Sequence, residues 1–386
     1  MTQEELVSAG LGKKDIQIIC GGQIYTLLKD YQNSFSSGYL TYGWNNYELK
    51  QISEVFQVGE TTTISPPTIT FGSDPELFVV AKDKSVVPSP AVVTASSIVK
   101  PDGFQIELNP VAHTCRQSAS GYITEALCQA RAMAQSKGYD LSFSVGHTIT
   151  DSVWSAVGIA LKRFGCNPTV NAHEKSFKRV TGLREKFRAG GGHIHLGMPT
   201  SIKLDTEKAN RMVMLMDIIA GNSCVLLDRD PDNARRRKNY GRAGEYRLKS
   251  YGLEYRVLSN FWLKKYVLWS TASGLLRQAV AFYQQPKLAD ELMSRFNMKD
   301  IRDAINNNDK ELAMKNFMIL HDFFIEKKIV SSSGFSFINI KKFLIWASEE
   351  DPIKRLNVDT TDKIMASWIN RNGENFHGLE QFLYSL

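Results

Sequence analysis

The feature that most constrains this chain is an alternation of ionisable and apolar residues in several short extended segments. In a strand, residues i and i+2 point to one face. Asp74 and Glu76 therefore share a face in S-D-P-E-L-F-V, as do Gln105, Glu107 and Asn109 in F-Q-I-E-L-N-P. The same holds for His193 and His195 in G-G-H-I-H-L-G, Glu245 and Arg247 in G-E-Y-R-L, and Glu254 and Arg256 in L-E-Y-R-V. The intervening or flanking positions are mostly apolar or aromatic: Leu77, Phe78, Ile106, Leu108, Ile194, Leu196, Tyr246, Leu253, Tyr255 and Val257. A sheet with one face in water carries Lys, Thr, Ser and Glu in no special order. Here the polar positions are acids, histidines and arginines.

A single sheet carrying all five segments would gather Asp74, Glu76, Glu107, Glu245 and Glu254 with His193, His195, Arg247 and Arg256 on one concave face. So many carboxylates repel unless protonated, paired with arginine or bound to cations. Carboxylate oxygens with one or two imidazoles suit Mg²⁺ or Mn²⁺, and arginine forks suit phosphate oxygens. Together these are the parts of a phosphoryl-transfer site. Singly they are weaker: Asp-Pro-Glu is a common turn or strand start, and E-Y-R serves equally as a surface ion pair. Gly190, Gly191 and Gly192 would let a ligand approach the backbone closely. The basic run from Asp228 to Lys249, with Arg229, Arg235, Arg236, Arg237, Lys238 and Arg242, leads into two of these strands. One or two of its arginines are expected to close over phosphates. A second basic segment, residues 175–188, reads as a flap or a solvated loop.

The rest of the chain sets the frame. Its 386 residues exceed one typical core and point to two or three domains. No run of about 18 apolar residues predicts a membrane span, and the acidic N-terminus lacks the apolar stretch of a secretory signal. Five scattered cysteines, none in a CxxC pair, predict reduced thiols and no zinc–thiolate site. The net charge of +7 reads as basic residues spread over the surface, with nucleic-acid binding a less favoured reading.

Helices are predicted over residues 121–137 (stopped by Gly138), over 153–164 capped by Asp151, over 205–227 and over 261–284. Short helices are also expected in I-Y-T-L-L-K-D-Y-Q-N-S-F and Y-E-L-K-Q-I-S-E-V-F, followed by an extended linker through Thr61–Pro67. Strands and helices mix without regular βαβ alternation, so the expected fold class is α+β, an antiparallel or mixed curved sheet with helices packed on it. The expected parts are a small N-terminal region (1–68), a catalytic domain (69–288) and a helical C-terminal module (289–386).

The ordered set F-G-S-D-P-E-L-F, Q-I-E-L-N-P, F-G-C-N-P-T-V-N-A-H, A-G-G-G-H-I-H-L-G and A-G-E-Y-R-L-K-S-Y-G-L-E-Y-R-V-L-S-N-F-W resembles a phage-encoded family of carboxylate–amine ligases. That family belongs to the superfamily of glutamine synthetase and glutamate–cysteine ligase, and the resemblance covers roughly residues 69–285. It implies a glutamine-synthetase-like core, a phage origin and a bacterial host cytoplasm. It also implies an ATP-dependent reaction with Mg²⁺ or Mn²⁺ as cofactor: a carboxylate is phosphorylated, and an amine then attacks the acyl phosphate to give an amide, ADP and phosphate.

Residue by residue, the resemblance marks Asp74 and Glu76 as the acid-x-acid metal strand, with Asp74 a shorter variant of the usual Glu. Glu107 matches a later acid, His193 the histidine near metal and phosphate, and Glu254 and Arg256 the E-x-R strand. His195 is an additional histidine. The candidate metal ligands are thus Asp74, Glu76, Glu107, His193, His195 and Glu254. Arg235, Arg242, Arg256 and His193 are the candidate nucleotide contacts, and Arg247, Arg256 and Glu245 the candidate catalytic residues. Partners would be a carboxylate and an amine (an amino acid, a peptide or a modified macromolecule), with a homo-oligomer compatible. Two other readings stay open: a metal-dependent hydrolase built on the histidines and acids, and a non-catalytic phage protein binding nucleic acid or another protein.

Overall fold

The computed structural model describes residues 17–20, 23–27, 56–58, 62–64, 68–163, 169–174, 176–178, 183, 185–327, 329–331, 344 and 356–369. Strands β1 (Gln17–Cys20), β2 (Gln23–Leu27) and β3 (Phe56–Val58) form an antiparallel sheet. Ile24–Leu27 is thus strand, where a helix is expected from sequence. Ile24, Tyr25 and Thr26 are good strand formers, and β1 supplies the partner, Ile18 opposite Tyr25. Of the second expected helix only Phe56 is described, in β3. Within the expected linker, β4 (Thr62–Ile64) pairs in parallel with Ile329–Ser331.

Strand β5 (Thr70–Ser73) and β6 (Glu76–Val80) are separated only by Asp74 and Pro75, and they lie in different sheets. Proline has no N–H to offer a ladder, so the chain changes sheet there. Strand β6 pairs antiparallel with β7 (Val86–Val87), β9 (Gln105–Leu108) and β10 (Asp140–Ser142), and β8 (Val99–Asp102) pairs with β9. Strand β11 (Gly146–Thr148) pairs with a later strand, Phe187–Ala189. The second large sheet is antiparallel throughout, in the order β13 (Ser176–Lys178), β12 (Thr169–Asn171), β16 (Glu245–Lys249), β17 (Gly252–Tyr255), β15 (Ile194–Gly197), β5. With β14 (Phe187–Ala189) and β18 (Ile329–Ser331) the strands are complete for the described residues. The mixed α+β class holds; the single sheet expected from the alternation is instead two sheets meeting at Asp74–Pro75.

Nine of the ten apolar residues between or beside the ionisable positions, from Leu77 and Ile106 to Ile194 and Val257, are buried in the main core. Phe78 differs. It packs with Val80, Val86, Phe104 and Ile149 in a second cluster, on the side of β6 that also carries Glu76.

The helix Arg116–Gln135 begins five residues before its expected start, and Gly138, at φ 78°, follows it. The helix expected over 153–164 breaks into Asp151–Ala156 and Ile159–Lys162 around Val157 and Gly158, both extended in backbone. The segment 206–225 is α-helical at both ends and π-helical at Asp217–Gly221. Tyr266–Tyr283 packs against Thr206–Met216, and Pro286–Ser294, Met298–Asn307 and Lys310–Glu326 continue on the same side. The main apolar cluster includes residues from Ile69 to Trp368. Among the described residues no helix is long and apolar enough to cross a membrane.

Candidate metal and active site

The register of the second sheet builds the site. His195 lies opposite Glu254, and Glu254 opposite Arg247, across β15, β17 and β16. Cross-strand neighbours on one face come within side-chain reach. Asp74 arrives from the sheet-changing corner, where its backbone N–H is 3.4 Å from the carbonyl oxygen of His193.

Asp74 Oδ1 is 3.0 Å from His193 Nδ1, and Asp74 Oδ2 is 3.2 Å from His195 Nε2. Glu254, fully buried, is met by three cations: Arg247 at 3.1 Å, Arg256 at 3.2 Å and Lys249 at 3.0 Å. His193 Nδ1 is 3.7 Å from the same carboxylate. Arg256 also donates to Thr169 Oγ1, and the Tyr251 hydroxyl is 2.6 Å from His195 Nδ1.

These contacts set the charges. Burial opposes ionisation of Asp74, but the two imidazoles outweigh it and hold its pKa well below the usual carboxylate range. Burial above all pushes His193 down to about 4, against the pull of Asp74, so the ring is neutral at pH 7. Glu254 is likewise held low: burial raises it, but His193 and the two arginines prevail.

Asp74, His195 and Glu254 each offer a ligand atom, and these atoms lie within 4.8 Å of one another. The Nε2 atoms of His193 and His195 are buried; that of His193 makes no hydrogen bond among the described residues, and that of His195 faces Asp74 Oδ2. Carboxylate oxygen with imidazole nitrogen is a donor set that Mn²⁺ or Mg²⁺ accepts. The residues present therefore fit a divalent cation at Asp74, His195 and Glu254.

The other two expected acid ligands stand in the adjoining sheet. Glu76 is opposite Glu107 across β6 and β9. Glu76 Oε2 accepts from Gly191 N at 2.7 Å, Tyr240 Oη at 2.7 Å and Gln105 Nε2 at 2.9 Å. Burial, with the nearby Asp102 charge, pushes Glu76 up to about 8. Burial also raises Glu107, whose Oε1 accepts from Asn109. A cleft beside Glu76 is lined by Asp102, Phe104, Arg163, Arg188 and Tyr240 among others.

Glu245 is buried and accepts from Gly241 N at 2.7 Å. The basic run divides between inside and outside. The Arg236 guanidinium is buried and donates to the carbonyls of Arg256, Val257 and Leu258; that of Arg237 donates to Ile305 O. These two are structural. Arg235 lies over the Phe187 ring and donates to Thr148 Oγ1, while Arg242 pairs with Glu174 at 2.8 Å. Neither joins the Asp74–Glu254 cluster. In the second basic segment Arg188 is buried against Phe104 and Trp154, while residues 175, 179–182 and 184 lie outside the described set.

The glycine triplet also reads differently in three dimensions. A Cβ at Gly190 would meet Asn260, one at Gly191 the His193 ring, and one at Gly192 the Ser259 carbonyl. The close approach there is to the protein itself.

Sequence reasoning missed Tyr240, Lys249, Tyr251 and Thr169. Lys249 was legible, being two residues from Arg247 on the same strand; Tyr240 and Thr169 arrive from distant segments and left no local signal.

Residues 174–334 match the model of a family described as phage phiEco32-like COOH.NH2 ligase-type 2. Over that stretch the chain is similar to a ligase family. The resemblance read from the sequence motifs is borne out there. No curated protein matches the chain. The ligase-type stretch contains His193, His195, Arg247, Glu254 and Arg256, and Asp74 reaches the cluster from outside it.

Proposed function

We propose that this chain is a ligase that couples ATP cleavage to joining a carboxylate with an amine, on a glutamine-synthetase-like catalytic face. The observation that carries this reading is the cluster in which Asp74, His195 and Glu254 converge beside Arg247 and Arg256, inside or next to the ligase-type stretch. Mg²⁺ or Mn²⁺ held by Asp74, His195 and Glu254 would supply neutralising charge for phosphate oxygens. Arg247 keeps its side chain partly open to solvent, at 18%, and is placed to meet an anionic group. Arg256 and His193 are buried and orient Glu254 and Asp74. In the first half-reaction the substrate carboxylate attacks the γ-phosphorus; the acyl–oxygen–phosphorus bond forms as the bond to ADP breaks. In the second, the amine attacks the acyl carbon, phosphate leaves, and one proton passes from nitrogen to base.

The test is ADP release with pooled amino acids, Mg²⁺ or Mn²⁺, and hydroxylamine as surrogate amine. Metal-dependent hydroxamate that disappears in His195→Ala, with folding checked by circular dichroism, supports the reading. Absence of ATP binding under either metal overturns it. Metal-dependent hydrolysis of amide or ester substrates without nucleotide would instead favour a hydrolase.

A further inference from the structure

The tip of the β16–β17 hairpin reaches the cluster through an aromatic side chain. Lys249 pairs with Gly252, leaving Ser250 and Tyr251 as the turn. The turn is anchored on the extension of β15, where Met198 N donates to Tyr251 O at 2.8 Å. From there the Tyr251 ring runs nearly parallel to His195, at 16° and 6.0 Å between centroids, with its hydroxyl 2.6 Å from Nδ1. On its other side the His195 ring meets Asp74, with Nε2 3.2 Å from Oδ2. Nε2 is buried and points between Asp74 and Glu254.

A neutral imidazole carries one proton, and the bond made by one nitrogen decides which nitrogen keeps it. A phenol can donate or accept. We propose that Tyr251 is the positioning residue of the metal site: its hydroxyl accepts the Nδ1 proton of His195 and so presents the Nε2 lone pair to the cation. This rests on the reading of Asp74, His195 and Glu254 as a cation site. The arrangement also suits the empty cluster. When Nε2 carries the proton beside Asp74, the phenol turns and donates to Nδ1, so the ring keeps its orientation in either tautomer. A ligating histidine held through its other nitrogen is a general device of metal sites, and loss of such a partner typically weakens metal affinity by about 10- to 100-fold. Tyr251 is 45% exposed, so the variant lacking its hydroxyl leaves the core intact.

The experiment is a Mn²⁺ titration of the full chain without nucleotide, by the loss of the free-ion electron paramagnetic resonance signal. Wild type, Tyr251→Phe and His195→Ala are compared, alongside nitrogen-15 imidazole spectra of the wild type and Tyr251→Phe. Mn²⁺ binding that weakens about tenfold or more in Tyr251→Phe, with the His195 signal moving toward the Nε2-protonated form, supports the proposal. Wild-type affinity in Tyr251→Phe, with a loss in His195→Ala, overturns the positioning role while the metal site stands. No saturable Mn²⁺ binding by the wild type, or no effect of His195→Ala, overturns the site and this proposal together.

Discussion

Glu254 carries the largest electrostatic burden of any single residue in the site. It is fully buried and faces Arg247, Arg256 and Lys249. Removing one partner of a buried ion pair leaves uncompensated charge. Glu254→Gln is therefore expected to cost about 3–5 kcal/mol in denaturant unfolding, besides abolishing metal binding. Glu76 makes the opposite prediction. Its pKa rises from 4.5 unfolded to about 8 folded, so the folded state holds the extra proton between those values. Its stabilising effect is complete below pH 4.5 and fades as pH rises through 8. A glutamine carbonyl can accept the same three hydrogen bonds without charge. Metal-free Glu76→Gln should be more stable than wild type at pH 8, by on the order of 4 kcal/mol, and nearly match it at pH 4.5. A wild-type advantage at pH 8 would mean that Glu76 is ionised in the folded protein.

Among elements, the strand entry Gly190–Gly192 leaves little room for change. A Cβ at Gly192 would lie 2.0 Å from the Ser259 carbonyl oxygen and 2.6 Å from Trp262 Nε1, and neither buried partner has room to move. Gly192→Ala should cost about 3 kcal/mol or more and disturb the neighbouring His193. At Gly158, between two short helices, a Cβ meets nothing within 4 Å, and Gly158→Ala should stay within about 0.5 kcal/mol. Urea unfolding of the pair measures both; equal costs would contradict the packing account of the triplet. The π-helical turn at Asp217–Gly221 is a second element under constraint. It turns the Asp217 carboxylate to accept from Tyr255 Oη at 2.6 Å and to meet His173 Nε2 at 2.7 Å, tying it to β17 and to the end of β12.

At the scale of the molecule, buried polar bonds join the helices after residue 286 to the site-bearing half. Asn222 donates to Ala313 O and accepts from Asn316, and Arg237 donates to Ile305 O. Asn222→Leu would leave Asn316 without that buried acceptor, at a cost of about 1–3 kcal/mol. With one apolar cluster spanning both halves, tryptophan fluorescence and far-ultraviolet circular dichroism should report one coincident transition. Two resolved transitions would show that the halves fold separately.

Sequence by itself determined the period-two face. The row His195, Glu254, Arg247 and the corner residue Asp74 were legible because alternation in a strand is a local, steric property. The same was true of the apolar positions between them and of the α+β class. Which arginines serve the site was decided only by tertiary structure. Arg236 and Arg237 read locally like Arg235 and Arg242, yet two are internal struts and two lie away from the cluster, because what a guanidinium touches depends on chain far away in sequence. The division of the acids was also tertiary. Glu76 and Glu107 share the pattern of Asp74 and Glu254, but a proline corner sends them into a second sheet, and pairing across sheets leaves no mark in a local repeat.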